Sequence, residues 1–170
     1  MSINSQTIGR ALLTLVLFYL WFLVVIRNEN IILLSGVDLI FHEAGHIIFS
    51  FLGEFIHILG GTLMQLIVPG SIVIYFVLRK LFFSASVVLF WFGQNLIDIS
   101  IYMQDAIPQQ MPLLGDIHDW AYLFGKFGLL KQSWFIGDSV AFLGVLVVSV
   151  SVIAALTTTI MYSFEEKAQD

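Results

Sequence analysis

The stretch Asp38-Leu-Ile-Phe-His42-Glu43-Ala44-Gly45-His46-Ile-Ile-Phe-Ser50 sets a His-Glu-x-x-His pattern inside an apolar run. On a helix, residues four apart share one face, so His42 and His46 can present their imidazoles to a single ion. Glu43, beside the first of them, is placed to act as general base on a water that the ion activates. Ionisable side chains are costly at bilayer depth and mark function where they occur. Here two histidines and a glutamate fall within a single helical turn and a half.

The surroundings of that stretch decide the fold class. Of 170 residues, 59% are hydrophobic and 11% charged, and the mean hydropathy is +0.96. A soluble domain carries about 25% charged residues, so the composition specifies an all-α, polytopic membrane helix bundle, one integral membrane domain over residues 1–170. The 16 Phe and 4 Trp fit lipid-facing surfaces and interfacial belts. The absence of Cys excludes disulfides and thiolate metal sites and leaves His, Asp and Glu as ligands. A net charge of −5 without a basic run points away from nucleic acid as a partner. No small-residue cleavage site follows the first apolar stretch, so residues 11–26 read as a retained span and not as a signal peptide.

Spans of about 20 apolar residues can be laid over residues 8–26, 31–52, 62–78, 81–103 and 134–162, which gives about five transmembrane helices. The second carries the motif, with Asp38 one turn before His42 as an acceptor that orients its imidazole. Residues 53–62 read as a Gly-containing connection whose His57 is hydrogen-bonded or interfacial and not a ligand. Pro69-Gly70 predicts a kink or break in the third span, and Gln65 near its start can face the site. On the fourth, Asn95, Asp98, Tyr102 and Asp105 form one polar stripe, which in a membrane faces the bundle interior. Residues 106–133 are a re-entrant or interfacial segment broken by Pro108 and Pro112. Within it, Asp116 is the expected N-cap of an amphipathic stretch from Trp120 to Leu130. His118-Asp119-Trp120 reads either as a ligand with its acceptor or as an interfacial anchor.

If every span crosses the membrane, residues 53–62 and 104–133 share the side of the N-terminus, and Arg27 and Arg79-Lys80 lie opposite. His46, Gln65, Asp98, Asp105 and His118 then converge on one end of the bundle, and the site opens toward the side of the N-terminus. The balance of Lys and Arg, with Lys167 counted beside Arg27, Arg79 and Lys80, favours that opposite side as cytoplasmic, in a bacterial-type inner or plasma membrane.

These residues resemble the site-2 protease family of intramembrane zinc metalloproteases, in its short single-domain form. The resemblance covers roughly residues 31–105: the His42-Glu43-Ala44-Gly45-His46 motif inside a span, the Gly60-Gly61 connection after it, and an Asp-bearing span two helices later. It implies a catalytic zinc held by His42, His46 and an aspartate of the later span, with Asp98 in the matching position and Glu43 as the base. The family's later motif is an Asn-Pro pair followed by Asp-Gly. It stands here as Gln94-Asn95-Leu-Ile-Asp98-Ile, without the Pro or the Gly. The third ligand is therefore open among His118, Asp98 and Asp105, and a His118 ligand would take Asp119 or Asp116 as its acceptor.

The expected activity is hydrolysis of a peptide bond in a membrane-embedded or juxtamembrane protein or peptide. Glu43 would activate the water, and Asn95, Gln65 or Tyr102 would steady the oxyanion. The lipid bilayer is the other expected partner. A non-catalytic scaffold, transporter or proton-relay subunit using Glu43, Asp98 and Asp105 is the second class. A membrane di-iron oxidase is the third, and four histidines are few for it.

Overall fold

Asn4 opens the first helix, its side chain accepting the N–H of Gln6. In the computed structural model, which describes residues 4–169, α1 (Ser5–Trp21) ends in a π-turn, Phe22–Ile26. α2 (Ile32–Phe49) carries the motif and closes in a 3-10 turn, Ser50–Leu52. α3 (Glu54–Leu78), α4 (Phe82–Gln104), the short α5 (Asp119–Phe127) and the long α6 (Ser133–Gln169) complete the chain. All the ordered elements among the described residues are helical, and five are long and apolar enough to cross a bilayer. The protein is a multi-pass helical membrane protein, as its composition requires.

Three details differ from the sequence reading. Residues 53–62 are not a connection: α3 begins at Glu54, because Gly53 alone, at φ 89°, turns the chain. Pro69 does not break α3 either. It deletes one backbone donor, but it is fully buried, and α2 and α4 both pack on this helix and hold it through the gap. The N-cap of α5 is His118 and not Asp116.

α4 and α6 form the spine. Phe90 of α4 packs with Val148, Val152 and Ala155 of α6 and Leu17 of α1, all nine-tenths or more buried. α2 meets α3 at a crossing made of glycine. A Cβ on Gly45 would overlap the Gly60 carbonyl, and one on Gly60 would stand 2.8 Å from the Gly45 oxygen. Without side chains there, the two backbones touch, as small residues allow in lipid.

Contacts along α6 fix the direction of α1. Tyr162 Oη donates to Gln6 Oε1 at 2.6 Å, the Thr14 and Thr159 hydroxyls meet at 3.1 Å, and Trp21 Nε1 donates to Ser149 Oγ at 2.9 Å. Arg10 lies over the rings of Tyr162 and Phe83, so the start of α1 sits with the start of α4. The end of α4 lies beside the opposite end of α6, where Gln104 Nε2 donates to Asp138 Oδ1 at 2.9 Å. At 1.5 Å per residue, positions 138 and 162 are about 36 Å apart.

α2 has both ends at the Asp138 end. Asn30, just before it, lines a cavity together with Met111 and Leu114 from the segment after α4. Its other end passes through Gly53 into α3, whose Phe55 meets Phe127 of α5 with ring centroids 5.7 Å apart. The expectation that the site opens toward the side of the N-terminus is therefore corrected. Alternate counting assumes that each apolar helix crosses, whereas the motif helix enters and leaves from one end. Arg27 belongs to that end, Arg79 and Lys80 to the other, and the side chain of Lys167 lies outside the described residues.

This arrangement gives a direct topology test. Reporters fused to the two termini should register on the same side of the membrane. A thiol introduced as Leu114→Cys, the only one in the chain, should react with an impermeant maleimide from the other side. Termini on opposite sides would require α2 to cross fully and would overturn the arrangement.

Candidate metal centre

His42 and His46 stand one turn apart on α2, with ring centroids 4.7 Å apart. Their outer nitrogens are both fixed. His42 Nδ1 lies 2.9 Å from Gln65 Oε1, and His46 Nδ1 lies 2.9 Å from the His57 carbonyl oxygen. Both partners are acceptors, so each imidazole keeps a proton on Nδ1 and turns Nε2 inward, as metal-ligating histidines do. His57 returns the bond, donating from Nδ1 to the His46 carbonyl at 2.8 Å and clasping α3 to α2. Gln65 is held in turn: its Nε2 donates to Asn95 Oδ1 at 3.4 Å, and Asn95 Nδ2 donates to the Trp91 carbonyl at 3.2 Å.

The two Nε2 atoms converge on one oxygen of Asp119, the first residue of α5. His42 Nε2 is 2.8 Å and His46 Nε2 3.2 Å from Asp119 Oδ2. Two imidazole lone pairs and a carboxylate oxygen at such distances call for a positive charge among them. A tetrahedral ion with bonds near 2.0–2.1 Å separates its ligand atoms by about 3.3 Å, so the spacing fits a small divalent metal. His42, His46 and Asp119 thus form a group that can hold a metal ion.

The structure exchanges the roles expected of His118 and Asp119. His118 Nδ1 accepts the Ala121 N–H at 3.3 Å to cap α5, and its Nε2 donates to Asp105 Oδ2 at 3.2 Å. Its ring lies against Tyr102 with centroids 4.3 Å apart. With both nitrogens spent, His118 positions Asp119 and does not join the triad. Asp105 is not in the triad either. It accepts the N–H groups of Gln110 and Met111 at 2.9 and 3.0 Å and folds the following segment back. Burial opposes its ionisation, and those N–H groups together with His118 prevail, leaving it below the usual carboxylate range.

Asp98 lies beside Asp38, Ser35 and Gln94 and is not a member of the triad. Asp38 does not orient His42: its Oδ1 accepts from Trp91 Nε1 at 2.6 Å, and Gln65 has taken the place expected of it. Asn95 is fully buried and lines neither cavity at the site, so its part is to support Gln65 and not to meet an oxyanion. Asp116 is exposed. Sequence reasoning missed Asp119 as the carboxylate of the triad. The available signal was its place in the first turn of an amphipathic helix, where the dipole favours an acid.

Two cavities, about 330 and 320 Å³, meet at His42, Glu43 and Tyr102, which line both. The Tyr102 hydroxyl accepts the Asp119 N–H at 3.1 Å and keeps its own proton free to donate. Comparison with known proteins finds no match to any family model, curated sequence or solved structure. The functional reading therefore rests on this geometry.

Purified protein should carry about one metal ion per chain, lost in His42→Ala, His46→Ala and Asp119→Ala and retained in Asp98→Asn. Metal retained in Asp119→Ala, or lost in Asp98→Asn, would refute this ligand set. Separately, a Cβ at Gly61 would stand 2.6 Å from the His42 ring. Gly61→Ala should weaken metal binding about 10- to 100-fold, the range for disturbed supporting contacts, with helix content unchanged by circular dichroism.

Proposed function

We propose that the protein is a zinc-dependent intramembrane metallopeptidase of the site-2 protease kind. The observation that carries this reading is the convergence of two Nδ1-anchored histidines and Asp119 at the point where Glu43 borders two cavities. Two imidazoles and a carboxylate, with space beside them, are a donor set that catalytic zinc accepts. Bound there, zinc supplies Lewis acidity, making a water nucleophilic near neutral pH and polarising a carbonyl.

The chain's own residues divide the remaining work. Glu43 takes the proton of the attacking water and passes it to the leaving amine. Tyr102 offers its hydroxyl proton to the developing oxyanion from a position open to both cavities. Gln65 and His57 hold the imidazoles in orientation, Asn95 supports Gln65, and His118 sets α5 so that Asp119 arrives at the right place. Leu113 and Leu114 roof both cavities. A di-iron oxidase would need a second metal with ligands of its own, and a single group of three ligands is found among the described residues. A metal-holding scaffold without chemistry has no use for a glutamate placed between two cavities.

The test is reconstitution of the zinc-loaded protein in vesicles with a set of membrane-spanning peptides. New termini would be read by mass spectrometry in ¹⁸O-labelled water. Glu43→Gln should retain the metal and lose cleavage by at least about 100-fold. Tyr102→Phe should lose about 100-fold with the metal in place. Absence of labelled termini in the wild type, or cleavage undiminished in Glu43→Gln, would refute the peptidase reading.

A further inference from the structure

The larger cavity contains a chemistry that peptide hydrolysis does not use. It starts at His42, Glu43 and Tyr102, and its lining is mostly apolar, with Leu39, Ile99, Met111 and Leu113 among the walls. Asp98 also lines it, and behind Asp98 stands Asp38, only 1% exposed. The two carboxyls are close neighbours. Asp38 Oδ1 is bound by Trp91, but Oδ2 is buried without a partner, and so is the neighbouring Gln94 Oε1.

Two neighbouring carboxyl groups away from water can both ionise only with a positive charge beside them. The chain does not provide one from Lys or Arg. Among the described residues, Arg27 pairs with Glu29, while Arg10, Arg79 and Lys126 lie over aromatic rings, and no Lys or Arg pairs with Asp38 or Asp98. An apolar shaft with the Asp98 carboxyl in its wall suits a long side chain with an apolar stem and a charged tip. Its volume is also that of a small-ligand site.

We propose that this cavity is a specificity pocket for a cationic side chain, a lysine or arginine of the substrate next to the scissile bond. The stem lies between Leu39, Ile99 and Met111, and the tip meets Asp98 with Asp38 behind it. This assignment rests on the peptidase reading for the word substrate, but the pocket's preference for a cation can be measured without turnover.

The measurement is equilibrium dialysis of benzamidine and of its neutral counterpart benzamide against zinc-loaded, full-length protein in detergent. Zinc is counted on the same preparations. Benzamidine should bind saturably and at least about tenfold more tightly than benzamide, as expected for a charge-assisted contact. That preference should disappear in Asp98→Asn with zinc content unchanged. Met111→Trp, which fills the cavity from its wall, should block benzamidine, and it keeps the test decisive if Asp98→Asn does not fold. Equal uptake of the two probes by the wild type, or undiminished benzamidine binding in Asp98→Asn or Met111→Trp, would overturn the proposal. Loss of zinc from the wild type would instead defeat the peptidase reading, so the two failures are distinct.

Discussion

The contact between the Gly45 and Gly60 backbones is the constraint on which the rest of the structure depends. Only at that separation can His46 Nδ1 reach the carbonyl of His57 while His57 reaches the carbonyl of His46. The same approach places Gly61 beneath the His42 ring and Gln65 within reach of its Nδ1. In water such a crossing would compete with exposure of the polar groups. In lipid those groups have no other partners, so backbone proximity and side-chain satisfaction reinforce each other. The orientation of both imidazoles is thus a property of how two helices pack, and an ion would have little to impose.

A second constraint follows from burying polar side chains where water is scarce. His42, Gln65, Asn95 and the Trp91 carbonyl form a chain in which every link is a hydrogen bond. His118, Asp105 and the N–H groups of Gln110 and Met111 form another outside the helices. Each group left unpaired would cost roughly 1–3 kcal/mol. Two of the buried atoms left without a partner, Asp38 Oδ2 and Gln94 Oε1, belong to residues beside Asp98.

The parts legible in the sequence were those written locally. Hydropathy gave the long helices, and the spacing of His42 and His46 gave two of the three members of the candidate metal centre, because both are set within one turn or one span. The third member was not legible. Periodicity along α4 directed attention to Asp98, which shares a helix face with Asn95 and Tyr102 but ends up beside Asp38. Asp119 reaches the histidines only because Asp105 and His118 fold the intervening segment back, a long-range outcome that no local pattern encodes. The path of α2 was hidden for a related reason: hydropathy reports how long and how apolar a helix is, not where its ends go. Gln65 and His57 are visible in the sequence as polar groups, but their acceptors and donors depend on the helix crossing.

The triad draws its members from two bodies of different standing: two histidines on a helix clamped within the bundle and one aspartate on a nine-residue helix at the end of a loop. Docking of α5 and binding of an ion by the triad would therefore form a single linked equilibrium. Whatever favours the docked segment would raise affinity for an ion, and an ion would favour docking by the same factor. A molecule that lifted this segment to enter the cavities beneath it would weaken the hold on the metal at the same time. Access to the site and the completeness of the site are consequently opposed, and the protein must balance one against the other.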